Sequence, residues 1–92
     1  MATMHELKCW PESFKAIVTG IKTAEWRKDD RLYQPGDWLT LKEYHPTRAA
    51  YTGNAMTARV YHVQRGPEFG IPAGYAMLSI RLEPVEEGSA GE

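Results

Sequence analysis

The eight residues from Tyr75 to Leu82 set the terms for the rest of the chain, because Ala76, Leu78, Ile80 and Leu82 alternate without interruption against Tyr75, Met77, Ser79 and Arg81. Strict alternation marks a strand with one face on a core and the other toward solvent. Such a strand needs partners, and the sequence offers them in short pieces. His5 to Trp10 sets Leu7 and Cys9 against Glu6, Lys8 and Trp10, and Trp38 to Tyr44 sets Leu39 and Leu41 against Thr40, Lys42 and Tyr44. A further strand, about Ala55 to Gln64, puts Met56, Ala58, Val60 and His62 on one face and Thr57, Arg59 and Tyr61 on the other. The last two strands, separated by the turn signals His45-Pro46-Thr47-Arg48 and Tyr51-Thr52-Gly53-Asn54, read as an antiparallel hairpin.

One helix interrupts the pattern. Pro11 suits a first helical turn, Glu12 complements the positive helix end, and Phe14, Ile17 and Val18 recur at the steps of one buried stripe. Gly20 stands where a helix C-terminal glycine belongs, so the helix runs from about Pro11 to Thr19. It delivers the chain into a polar strand beginning at Lys22. Alternation there places Thr23, Glu25 and Arg27 on one face and Ala24 and Trp26 on the other, which reads as a polar face backed by a packing one. Gln34-Pro35-Gly36-Asp37 fits a type II turn, and Arg65 to Gly74, with three glycines and two prolines, is too broken for regular structure and marks a functional-loop candidate.

Five strands and one early helix predict a mainly β (α+β) fold. The expected architecture is a small, strongly curved antiparallel sheet, partly closed into a barrel, because a flat sheet would leave edges and an uncovered face. The helix would flank a cleft at one opening. Ninety-two residues make one domain, expected over residues 1–84, with 85–92 a disordered acidic tail.

Charge excludes more than it assigns. The net charge of -1 includes Glu83, Glu86, Glu87 and Glu92; with those four set aside, eleven bases face eight acids over residues 1–82, a body of +3. That is compatible with nucleic acid but short of a strongly basic nucleic-acid domain. No apolar run approaches the roughly 20 residues of a membrane span, and the N-terminus lacks the basic then apolar pattern of a secretory signal. A single cysteine, Cys9, cannot form an internal disulfide, so the expected compartment is the cytoplasm. There is no cysteine pair, no His-Glu-x-x-His, no carboxylate cluster of metal spacing and no phosphate-loop ending, so neither a metal site nor a cofactor is expected.

The chemistry concentrates between Gly20 and Arg31, where seven of twelve residues carry charge. Lys22 and Arg27 can hold a phosphate or a base carbonyl, while Glu25 can accept from an exocyclic amine. An exposed Glu–Arg pair on a strand contributes at most about 1 kcal/mol, so the spacing alone also fits an ordinary surface pair. Around this stretch Trp26, Trp38, Tyr33, Tyr44 and Tyr61 are interleaved with Arg27, Arg31, Lys42 and Arg59. Rings beside cations hold single-stranded nucleic acid, although rings also build the core of a small domain.

Gly20-Ile21-Lys22-Thr23-Ala24-Glu25-Trp26-Arg27 resembles the Gly-x-Lys-x-x-Glu-x-Arg signature of ASCH domains, small β-barrels of the PUA-like superfamily. The likeness covers about residues 4–82 and extends to His5-Glu6-Leu7-Lys8, Trp10-Pro11, Arg27 to Arg31, Gly36-Asp37, Arg65-Gly66 and Gly74 to Ile80, as in a compact subfamily of bacteria and phages. It implies a pseudo-barrel whose helix and following strand border a cleft lined by Lys22, Glu25 and Arg27, in a superfamily that commonly binds RNA or modified bases. Some ASCH proteins resemble amidohydrolases of N4-acylated cytidine with a motif threonine as presumed nucleophile. Here Glu25 stands in that place, and Thr23 is the nearest hydroxyl.

The expected function is therefore a binding module for RNA or a nucleotide-like ligand, using Lys22, Glu25, Arg27, Arg31, Trp26, Tyr33, Lys42 and Arg65. The alternatives are a hydrolase acting on N4-acylcytidine or RNA, with Lys22, Glu25 and possibly Thr23 catalytic, and a phage-type inhibitor that contacts a host protein.

Overall fold

In a computed structural model, residues 2–84 are described, and the expected acidic tail at 85–92 lies outside them. The elements follow in the order β1 (Met4–Cys9), α1 (Pro11–Val18), β2 (Ala24–Lys28), β3 (Trp38–His45), β4 (Ala50–Arg65) and β5 (Tyr75–Leu82). A single 3-10 turn, Glu68–Gly70, gives the Arg65 to Gly74 loop its one regular piece. The strands form one curled five-stranded sheet, a half-barrel in the order β1-β3-β4-β5-β2, with the short helix against it. The mainly β fold and the partial closure are as the sequence predicts. Among the described residues no helix is long and apolar enough to cross a membrane.

The sheet is mixed rather than wholly antiparallel. β1 pairs with β3 in parallel, Leu7 opposite Leu41, while β3–β4, β4–β5 and β5–β2 are antiparallel. Parallel neighbours need a crossover, which α1 and β2 supply between them. The β3–β4 turn is also shorter than its sequence suggests. It occupies residues 46–49, and Tyr51 to Asn54 continue the ladder as strand, Tyr51 opposite Tyr44.

The core lies on the concave face. Leu7, Cys9, Ile17, Leu39, Leu41, Ala58, Val60, Ala76, Leu78 and Ile80 are buried together, as alternation predicts. Each fully buried Leu, Ile or Val side chain contributes about 1.5–3 kcal/mol. Three predicted members stay outside, the first being Leu82, which is exposed at the last position of β5 where no neighbouring element covers it. The register shifts between Val60 and His62, and this bulge turns His62 out to solvent and Val63 toward the core. Val18, at the last helical position, is exposed.

Tyr33 is the main addition. Taken from sequence as a stacking residue, it is 1% exposed and sits in the core, its ring edge-on to His5 at 4.8 Å. His5 Nε2 donates to Asp37 Oδ2 at 2.9 Å, and Asp37 also accepts the backbone N–H of Thr3 at 3.1 Å and of Gln34 at 3.0 Å. Burial alone would push the Asp37 carboxyl up, but these three hydrogen bonds favour its ionised form and hold it below the usual 3.8. One side chain thus ties the start of β1 to the turn that opens β3.

Candidate functional site

Helix α1 ends where the site begins. The N–H of Gly20 reaches the Ile17 carbonyl at 3.0 Å with Gly20 at φ +81, and the N–H of Lys22 caps the Ala16 carbonyl at 3.0 Å. A side chain other than glycine's is strained in that conformation, so the glycine fixes the angle at which Lys22 leaves the helix. β2 starts two residues later, at Ala24 rather than Lys22.

The polar face of β2 turns inward and its apolar face outward, the reverse of an ordinary surface strand. Glu25, opposite Leu78, is 5% exposed, whereas Trp26, opposite Met77, is 47% exposed with Tyr75 at 6.5 Å. Trp26 therefore forms no packed backing for the site. A buried carboxylate needs partners, and Glu25 has one for each oxygen. Lys22 Nζ donates to Oε1 at 3.0 Å and Arg27 Nε to Oε2 at 2.7 Å. Lys22 Nζ also donates to Ser13 Oγ on α1 at 3.1 Å, which joins helix to strand across the cleft floor.

Two guanidinium groups then close the half-barrel. β1 and β2 are the end strands of the sheet, and their free edges face one another across an open seam. Arg27 Nη2 donates to the Lys8 carbonyl at 2.6 Å, and Arg31 Nη1 to the Glu6 carbonyl at 2.8 Å. Alternate carbonyls of β1 point into the seam, so side chains satisfy what a sixth strand would otherwise pair.

Two depressions run along this seam. One, of about 260 Å³, is floored by Cys9, Ser13, Lys22, Glu25 and Arg27 and walled by Trp10 and Trp26. The other, of about 300 Å³, is lined by Lys8, Arg27, Arg31, Lys42 and Tyr51 with Glu6. They share Lys8 and Arg27 and form one groove. Lys8, Lys22, Arg27, Arg31 and Lys42 outnumber Glu6 and Glu25 along it, which leaves a formal excess of +3. Lys8 lies over the Tyr44 ring at 4.4 Å and Lys42 over the Tyr51 ring at 4.7 Å, with the two rings 5.1 Å apart.

Of the residues predicted from sequence, the structure brings together Lys22, Glu25, Arg27, Arg31 and Lys42, with Trp26 at the rim. Tyr33 belongs to the core. Arg65 stands apart, its Nε donating to Asp29 Oδ2 at 2.7 Å and its Nη2 to the Tyr33 carbonyl, so it braces the loop after β2. Thr23 is exposed on the far side of Lys22, in a depression shared with Ile17 and Ile80, and does not approach Glu25 among the described contacts. Burial, followed by the nearby Glu25 charge, pushes the Cys9 thiol up, which disfavours the thiolate a nucleophile needs. Among the described residues no group of three or more His, Cys, Asp or Glu could hold a metal ion.

Sequence reasoning missed Trp10, Ser13, Lys8 and Tyr51 as groove residues. The signal for two of them was present: the alternation that buries Leu7 and Cys9 in β1 sends Lys8, and Trp10 just after the strand, outward. Ser13 and Tyr51 come from α1 and β4, and only the tertiary fold carries them to the seam.

Comparison with known proteins adds a family. The model of a domain of unknown function, DUF3850, matches residues 4–80. A protein of Escherichia phage P2, described as an uncharacterized 12.9 kDa protein in the GpA 3′ region, is 40% identical over 63 residues, which are 68% of this chain and 56% of that protein. The chain thus spans little more than half the length of this relative.

Proposed function

From the premise that this chain belongs to the DUF3850 family, we propose that it is a cytoplasmic binding module for RNA or a nucleotide-like ligand, held in the groove of Lys22, Glu25 and Arg27. One observation carries the reading. Five cations from β1, β2, β3 and the two loops that flank β2 converge on a groove with two carboxylates, and the carboxylate at its floor is already neutralised. Glu25 holds Lys22 and Arg27 in place, and the surplus positive charge is left for an anion. A phosphodiester backbone supplies that anion in series, and the exposed rings at the rim offer stacking faces. The resemblance of Gly20 to Arg27 to the ASCH signature supports the same class of ligand.

Fluorescence anisotropy with a short labelled single-stranded RNA tests this. Wild type should bind, and Lys22→Ala and Arg27→Ala should weaken binding while each variant still melts cooperatively. Equal binding by all three proteins would remove the groove from consideration.

A second reading, hydrolysis of an N4-acylated cytidine or of RNA, is favoured by the contact between Ser13 Oγ and Lys22 Nζ, a hydroxyl on a lysine in an open cleft. Ser13 would stand where Thr23 cannot. Chromatography after incubation with N4-acetylcytidine or labelled RNA should then show a product that Ser13→Ala abolishes. The phage P2 likeness leaves room for a role against a host protein, and pull-down from nuclease-treated lysate would separate that partner from RNA.

A further inference from the structure

Trp10 stands between two depressions of opposite character. On one side lies the cationic cleft of Lys22 and Arg27; on the other lies a depression of about 440 Å³, bordered by Trp10, Glu12, Ser13, His45, Pro46 and Thr47. That second volume falls within the roughly 300–1,000 Å³ of small-molecule pockets. Its lining contains no lysine or arginine and one carboxylate, Glu12, whereas the neighbouring cleft holds Lys8, Lys22 and Arg27 against Glu25 alone. Trp10 and Ser13 belong to both. The indole is 62% exposed, although a core of this size had every energetic reason to bury it.

We infer that the Trp10 depression receives the base of a nucleotide whose phosphate rests on Lys22 and Arg27. This rests on the binding reading above and gives it an orientation. A flat ring stacks on Trp10 within a depression that Pro46 also lines, and the Glu12 carboxylate accepts from an exocyclic amine, which selects cytosine or adenine over uracil. His45 Nδ1 takes the Arg48 backbone N–H at 3.4 Å, so Nε2 is the ring atom left for a base edge. The phosphate meets the Lys22 ammonium and the Ser13 hydroxyl, already 3.1 Å apart. The polarity is forced by charge: a phosphate beside Glu12 is repelled, and one beside Lys22 and Arg27 is not. A free mononucleotide and the end of an RNA strand share this chemistry.

Calorimetric titration with 5′-CMP, 5′-UMP, cytidine and inorganic phosphate, alongside anisotropy with a labelled hexacytidylate, tests the assignment. 5′-CMP should bind more tightly than cytidine, phosphate or 5′-UMP. Trp10→Ala should weaken 5′-CMP or the hexamer about 5- to 150-fold, the range of one lost stacked base, and Trp10→Tyr should restore most of it. Preference for the hexamer assigns the site to a strand end, and equal or tighter binding of 5′-CMP to a free nucleotide. If Lys22→Ala abolishes binding while Trp10→Ala leaves it unchanged, the base pocket is overturned and the groove stands. If wild type binds neither 5′-CMP nor the hexamer, both are overturned.

Discussion

Arg27 reaches across the open edge of the sheet to β1, donating from Nη2 to the Lys8 carbonyl at 2.6 Å while its Nε holds Glu25 Oε2 at 2.7 Å. One planar group therefore joins a buried carboxylate to a sheet edge, and the candidate ligand groove lies directly over it. The candidate groove and the barrel closure share a residue.

Replacing Arg27 should cost stability as well as binding. Arg27→Ala leaves one oxygen of a carboxylate with 7% side-chain exposure without its partner and opens the seam, an expected loss of about 2–3 kcal/mol by urea denaturation. Arg27→Lys should recover little, since a single ammonium cannot serve both acceptors in that fork geometry. Lys22→Ala, at a side chain 32% exposed, should cost less than Arg27→Ala in the same experiment.

Asp37 should give the protein an acid limb. Its carboxyl lies below 3.8 in the folded state, so the unfolded chain binds the proton more readily, and stability present above pH 3.8 is lost as pH falls through the folded value. Asp37→Asn should flatten that part of the pH–stability curve. It should also lower stability at neutral pH by about 1–3 kcal/mol, because the Thr3 and Gln34 amides lose a charged acceptor.

Binding should follow ionic strength in proportion to the phosphates held. Lys42→Gln should reduce the slope of log K against log salt by about one and weaken different RNA sequences alike. A slope unchanged by this substitution would place the backbone elsewhere than over Lys42 and Tyr51.

The loop after β4 tolerates no side chain at its first glycine. A Cβ on Gly66 would press on the backbone carbonyl oxygens of Ile71 and Pro72. Gly66→Ala should lower the melting temperature, with the β4–β5 amides losing hydrogen-exchange protection first. Leu78→Ala, fully buried opposite Glu25, should cost about 2–5 kcal/mol and serve as the reference for global loss.

Local pattern was enough to find β1, α1, β3 and β5 and the residues they bury. The period-two runs at Leu7–Cys9, Leu39–Leu41 and Ala76–Ile80, and the Pro11 and Gly20 boundaries of the helix, state which face is apolar without reference to anything distant. The charged stretch from Lys22 to Arg31 was legible for the same reason: charge density is a local property. Alternation misled at Trp26 and His62, because it cannot say which face of a strand is inside, nor where a bulge resets the count.

The remaining decisions belong to the tertiary structure. That Glu25 rather than Trp26 turns inward depends on Lys22 and Arg27 being present to satisfy both carboxylate oxygens at once, a condition no spacing rule expresses. That Tyr33 is core while Trp10 is exposed depends on what packs against each from other elements. The parallel β1–β3 pair and the seam between β1 and β2 arise from contacts 19 to 34 positions apart in the chain, and so does the groove they define. Sequence alone determined that Lys22, Glu25, Arg27, Arg31 and Lys42 were candidates for one site. Only the curl of the sheet, which brings its two outer edges within reach of an arginine, decided that they face the same space.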